Sequence, residues 1–144
     1  MAFEIKNPPE FTLEVEQWTR ETDADGSEMA KGVIEPMLNN EVYLKSEMER
    51  QEHTALVTLR VAGWTGSAAP YTQTVQVPGA REGLEPMVVS ALADGASPEA
   101  QKNYIKAYGI LCSGTGVMGD GTATFKVYKK PGVDITIGLR GVRG

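Results

Sequence analysis

From residue 54 onward, most of the chain alternates apolar and polar side chains with a period of two, which is typical of half-buried strands. Ala55, Val57 and Leu59 alternate with Leu56 and polar neighbours. Similar alternation recurs at residues 71–77, 87–91, 124–127 and 133–139, with the turn-forming sequences TGSAAP, PGAREG, GDG and KKPG between these segments. One helix interrupts the series, because Ser97 can cap it and Pro98 suits its first position. The predicted order is β-β-β-α-β-β-β, which favours an antiparallel sheet or sandwich over repeated βαβ units.

The segment before these strands has a different pattern. Phe11, Leu13 and Val15 alternate with polar residues and predict an N-terminal strand. Residues 27–53 predict a long helical stretch, with a break near Glu35 and a second helix that starts at Pro36.

On that helix, Met37, Leu44 and Met48 form one apolar stripe, and Leu38 and Val42 form another. Two stripes suit a helix that contacts two neighbours, as in a small oligomer. The alternative is a helix that packs on its own domain.

Together these patterns predict an α+β protein that is mainly β. Residues 1–53 would form an N-terminal strand and a helical assembly segment. Residues 54–144 would form a small antiparallel β-sandwich-like domain with one helix.

Composition and charge narrow the possible functions. The chain has 144 residues and a net charge of −5. Because it lacks a dense cluster of basic residues that could neutralise phosphate groups, we expect no nucleic-acid binding. The single cysteine, Cys112, rules out an intrachain disulfide. No window approaches ~20 apolar residues, and the N-terminus lacks a signal-peptide pattern. We therefore expect that the chain has no membrane span. We also expect that it is synthesised in the cytoplasm.

Three motifs suggest chemistry, and each has a simpler interpretation. GTGVMG at residues 114–119 matches the dinucleotide-binding fingerprint, but a turn and a strand follow it where the fingerprint needs a helix. DADGSE at residues 23–28 resembles a calcium loop but has Gly32 where the bidentate glutamate belongs. His53, the one histidine, could serve a small hydrolase with Cys112 or with an acidic pair, but no nucleophile motif supports this. We predict no catalytic residues, no metal site and no cofactor.

Three aromatic residues, Trp64, Tyr71 and Tyr128, are the candidates for ligand contact. An aromatic platform beside a loop can hold a sugar or a peptide. The favoured alternative for Trp64 is that its ring fills the end of the sandwich core.

Several short phrases resemble a module found in phage and prophage structural proteins of gut Firmicutes. They are WTGSAAPYTQTVQVPG at residues 64–79, EPMVVSALAD after it, and KPGVDI at residues 130–135. The helical IEPMLNNEVYLKSEMER is similar to the segment that precedes such modules, so the resemblance covers about residues 27–142. It implies a tail, baseplate or fibre-associated protein that is commonly oligomeric and often trimeric.

The sequence thus leads to one hypothesis and one alternative. The hypothesis is a non-enzymatic virion structural protein that is made in the bacterial host cytoplasm. Its partners would be its own copies, through Met37, Leu44 and Met48, other virion proteins and a host-surface glycan. The alternative is a carbohydrate-binding module that uses its surface aromatics.

Overall fold

The computed structural model describes residues 5–12 and 29–143. The chain divides into two compact units, Met1–Glu49 and Arg50–Gly144. After a π-helical turn, Ala30–Ile34, the elements are α1 (Glu35–Glu52), β1 (Thr54–Leu59), β2 (Tyr71–Gln76), β3 (Met87–Ser90), α2 (Pro98–Cys112), β4 (Thr115–Gly119), β5 (Thr122–Val127) and β6 (Ile135–Arg140). A 3-10 turn, Val61–Gly63, lies between β1 and β2. The predicted order of strands and helix is confirmed.

In the first unit, the described part of the N-terminal segment is held against α1 by two asparagines. The Lys6 N–H donates to Asn39 Oδ1 at 2.8 Å, and Asn40 exchanges two hydrogen bonds with the backbone of Thr12, at 2.6 and 2.8 Å. Phe11 adds a ring contact with Tyr43. Phe11 itself is not in a strand, and the rest of the predicted N-terminal strand lies outside the described residues.

The helical stretch is continuous at Pro36, so the predicted break is wrong. A proline lacks an N–H, and in an α-helix the N–H of position 36 would donate to the carbonyl of residue 32. The π-helical turn accommodates this: the Glu35 N–H donates to the Ala30 carbonyl, five residues back, and α1 follows without interruption.

In the second unit, six strands form two antiparallel sheets of three. The first has the order β1-β6-β3 and the second has the order β2-β5-β4. Side chains from both sheets and from α2 meet in one core, whose fully buried members include Leu59, Val127, Ile135 and Ile137. This is the mainly β, sandwich-like domain that the alternation predicts.

Helix α2 begins as predicted, since the Ser97 hydroxyl accepts a hydrogen bond from the Ala100 N–H and Pro98 opens the first turn. Its buried residues, Ala107 and Leu111, join the core. The Tyr104 hydroxyl accepts from the Ala91 N–H and donates to the Thr136 carbonyl, both at 2.9 Å. Ala91 and Thr136 follow the last registered pair of β3 and β6, so this hydroxyl bridges the two strands where their own pairing ends.

Candidate functional site

The second unit contains an apolar cleft of about 440 Å³, between β3 at the edge of one sheet and β4 at the edge of the other. The loop of residues 83–86 forms one wall, and residues 116–118 of β4 form the opposite wall. Phe125 and Leu139 contribute from the central strands of the two sheets. A cleft of this size is within the range of about 300–1,000 Å³ that is typical of ligand sites.

Gly116 keeps the cleft open above the Phe125 ring. The two residues are register partners, and a Cβ on Gly116 would lie 3.5 and 3.6 Å from two ring carbons, which is ordinary van der Waals contact. A side chain at position 116 would therefore occupy space that the glycine leaves empty. Glycine inside a strand often marks a place where another group approaches closely.

Glu85 is the charged residue among those that line the cleft. The Glu82 N–H donates to Asp120 Oδ1 at 3.2 Å, which ties the loop to the turn after β4. All three acids are exposed, as are the nearby cations Arg81 and Lys126, the second of which pairs with Thr115 of β4. The walls are thus mostly apolar, with one acid, Glu85, among them.

Trp64 is 5% exposed and belongs to the core, so it presents no ring face to solvent. Hydrogen bonds fix the backbone next to it: the Thr65 N–H donates to the Thr72 carbonyl at 2.8 Å, and the reverse bond is 3.1 Å long. Its position agrees with the core-filling interpretation. The indole N–H and the side-chain oxygen of Gln73, another buried residue, have no hydrogen-bond partner among the described residues.

Tyr71 begins β2 and Tyr128 follows the last residue of β5, so both belong to the same end of the second sheet. Tyr71 pairs with Val127, the residue before Tyr128. The Lys130 ammonium lies 4.7 Å from the centre of the Tyr71 ring, a cation–π contact, and Tyr128 is 60% exposed. Of the three aromatic candidates, Tyr128 is exposed, whereas Tyr71 is half-buried and packs against the core.

The stripe predicted for assembly is exposed on α1. Met37, Leu44 and Met48 are 60%, 53% and 65% exposed. Asn39 and Tyr43, which contact the N-terminal segment, project from a different side of the helix, while Asn40 borders the stripe.

The GTGVMG motif forms β4 and the start of a hairpin. Its strand, Thr115–Gly119, is followed by the turn at Asp120 and Gly121 and then by β5, so the prediction of a hairpin is confirmed. The calcium-like DADGSE segment lies outside the described residues.

His53 and Cys112 have separate surroundings. The His53 ring donates from Nδ1 to the Val142 carbonyl, and its backbone carbonyl accepts from the Gly141 N–H at 2.9 Å. Cys112 is exposed at the end of α2. Burial, with a hydrogen bond to Cys112, raises the pKa of the nearby Tyr108 above its ordinary value.

Within the described ranges, no group of three or more His, Cys, Asp or Glu residues is placed to hold a metal ion. Neither helix in the same ranges is long and apolar enough to cross a bilayer. Comparison with protein families, curated proteins and solved structures found no match for this chain.

The cleft is the feature that the sequence patterns missed. The residue that could have indicated the cleft is Gly116, an inward-facing glycine within a strand. In the sequence, however, Gly116 also belongs to the GTGVMG motif, which matches a nucleotide-binding fingerprint. Only the pairing of β4 with β5 shows that Gly116 lies opposite Phe125.

Proposed function

We propose that the protein is a non-enzymatic structural component of a bacteriophage virion, located at the tail, baseplate or fibre. It acts there as a homo-oligomer, with a trimer as the expected state, and contacts other virion proteins. The observation that carries the proposal is the exposed apolar stripe of α1. The resemblance of residues 27–142 to phage structural modules supports it independently.

The geometry of the stripe suits helix association. Met37, Glu41, Leu44 and Met48 are spaced by four, three and four residues, the spacing that lines the seam of a coiled coil. Burying the exposed half of a Leu or Met side chain contributes roughly 1 kcal/mol. Three such residues from each copy would therefore favour assembly, while Glu41 in the same line would weaken it.

Light scattering after size-exclusion chromatography tests the assembly. At high micromolar concentration we expect the wild-type protein to have a mass that is a multiple of the 15.5 kDa chain. The Leu44→Lys variant should be a monomer. Ile105→Lys is the matched control, because Ile105 is 67% exposed on α2, and this variant should remain assembled. Glu41→Leu should strengthen assembly, since it replaces a charge in the seam with an apolar side chain.

A monomeric wild-type protein under these conditions would contradict the proposal. So would a Leu44→Lys variant that assembles as well as the Ile105→Lys control. Circular dichroism of each variant shows whether the helices are retained.

A second candidate function is carbohydrate binding at Tyr71 and Tyr128. The exposure of Tyr128, which is 60% accessible, favours it, since sugars stack on exposed aromatic faces. Glycan-array binding that is lost in Tyr128→Ala and kept in Tyr43→Ala would support this function. Equal binding by both variants would count against it.

A further inference from the structure

Two of the four outer strands of the two sheets, β2 and β3, have a partner on their free side. The free side of β2 is paired by Thr65, through two backbone hydrogen bonds with Thr72. On β3, the Val88 carbonyl accepts from the Tyr108 hydroxyl at 3.2 Å. These contacts occupy backbone groups that an edge strand would otherwise offer to another chain.

The edge of β4 has no such protection. Among the described residues, its backbone makes hydrogen bonds only with β5. The strand, TGVMG, contains neither a charged residue nor a proline, and Val117 at its centre is 68% exposed. Natural proteins usually protect edge strands with lysine, proline or a covering element, so an unprotected apolar edge is a surface on which another strand can pair.

The cleft lies directly beside this edge. A strand added to β4 would continue the second sheet, and every second side chain on it would point toward the same side as Gly116 and Met118. Gly116 has no side chain to fill the space above Phe125, so a large apolar side chain from the added strand can occupy it. Backbone pairing supplies affinity in this mode of recognition, and the pocket supplies specificity.

We propose that the β4 edge and the adjoining cleft form a binding site for an extended peptide segment of another protein. The segment pairs with β4, places one bulky apolar side chain over Phe125, and carries basic residues that face Glu82, Glu85 and Asp120. This site is separate from the α1 stripe and does not depend on the assembly proposed above.

The volume of the cleft distinguishes this occupant from a second copy of the chain. The inward-facing residues of a second β4 are Gly116 and Met118, and Met118 is already buried in its own core. A basic, apolar peptide satisfies both the charge and the volume of the site.

The test uses the full chain and four fluorescein-labelled peptides, Val-Lys-Thr-X-Thr-Lys-Val, in which X is Leu, Met, Phe or Trp and the lysines share its side of the strand. The symmetric sequence allows either strand direction. We expect saturable binding by fluorescence anisotropy for at least one of the four. A peptide with Asp at X, and one with both lysines replaced by glutamate, should bind at least about tenfold more weakly.

Gly116→Val is the decisive variant, because its side chain fills the cleft at ordinary contact distance from Phe125. It should weaken binding by about tenfold or more. Gly95→Val is the matched control: a Cβ on Gly95 meets nothing within 4 Å, and Gly95 does not line the cleft. Its affinity should equal that of the wild type.

Chemical shifts of the backbone amides, measured by NMR on isotopically labelled protein with and without peptide, locate the site. Peptide-induced shifts should concentrate on β4 and the loop of residues 83–86. No saturable binding by any of the four peptides would overturn the proposal, as would equal affinities of Gly116→Val and Gly95→Val. Shifts of β4 amides that depend on protein concentration without peptide would identify a second copy as the occupant, which also overturns it.

Discussion

Replacing Tyr104 by Phe should measure what the hydroxyl bridge between β3 and β6 contributes to stability. The change removes one oxygen atom that accepts from the Ala91 N–H and donates to the Thr136 carbonyl, each at 2.9 Å. Both backbone groups belong to half-buried residues. A phenylalanine keeps the ring and its contact with Tyr108, whose ring centre lies 5.7 Å away, so the loss isolates the two hydrogen bonds.

The expected cost follows from these two bonds. A typical intramolecular hydrogen bond contributes about 0.5–1.5 kcal/mol net, and a half-buried group left without a partner loses somewhat more. We therefore expect the free energy of unfolding to fall by about 2 kcal/mol in Tyr104→Phe, measured by urea denaturation. In thermal unfolding this corresponds to a decrease in Tm of roughly 8 °C.

Two matched variants make the result decisive. Tyr108→Phe removes the bond of 3.2 Å to the Val88 carbonyl together with the interaction with the exposed Cys112, and should cost about 1 kcal/mol. Tyr128→Phe alters an exposed tyrosine and should change stability by less than about 0.5 kcal/mol. If Tyr104→Phe is no more destabilising than Tyr128→Phe, the bridge contributes no net stability and the reasoning is wrong.

Three further changes test the packing and titration of the second unit. Gly63→Ala should cost about 1–3 kcal/mol in urea unfolding, because its Cβ would lie 1.8 Å from Nε2 of the buried Gln73; the cost should shrink in a Gln73→Ala background. Gly138→Ala should cost about 1 kcal/mol in the same assay, because two methyl groups of neighbouring strands lie 2.6 Å from its Cβ, and no loss would show that they move aside freely. The raised pKa of Tyr108 means that its protonated form stabilises the fold below its ordinary value of 10.0 and that this stability is lost as the pH rises through the raised pKa. The decline measured in alkaline unfolding curves should therefore be smaller in Tyr108→Phe, and equal declines would exclude Tyr108 as its source.

Local sequence patterns predicted the elements well where a strand has one buried face. Val57 and Leu59 alternate with polar or exposed neighbours and are buried in β1, and Ile135, Ile137 and Leu139 behave likewise in β6. In each case the period of two follows from the pleat of a strand that has one face on the core.

Alternation does not say which of two apolar faces is buried. In β3, Met87 and Val89 share one side, and Met87 is 64% exposed, whereas Val88 on the other side packs against the core. Gln73 shows the converse, because a polar residue occupies an inward-facing position of β2. These outcomes depend on which strand and which sheet lie opposite.

The cleft and the strand order arise from contacts between distant parts of the chain. Gly116 lines a cleft only because Phe125 lies opposite it in the hairpin and the loop of residues 83–86, which leads into the other sheet, lies nearby. The position of β6 between β1 and β3 depends on pairings that no local signal encodes.

That central position of β6 has a consequence for synthesis. β1 and β3 emerge from the ribosome well before β6, yet β6 is the strand with which both of them pair. Until it emerges, the apolar faces of β1 and β3 lack their partner, and such unpaired strands are prone to aggregate. Pairing of Thr54 with Arg140 also closes a long loop, which slows folding. The first sheet is therefore completed only after β6 has emerged, and chaperones that hold unpaired strands should raise the yield of folded protein.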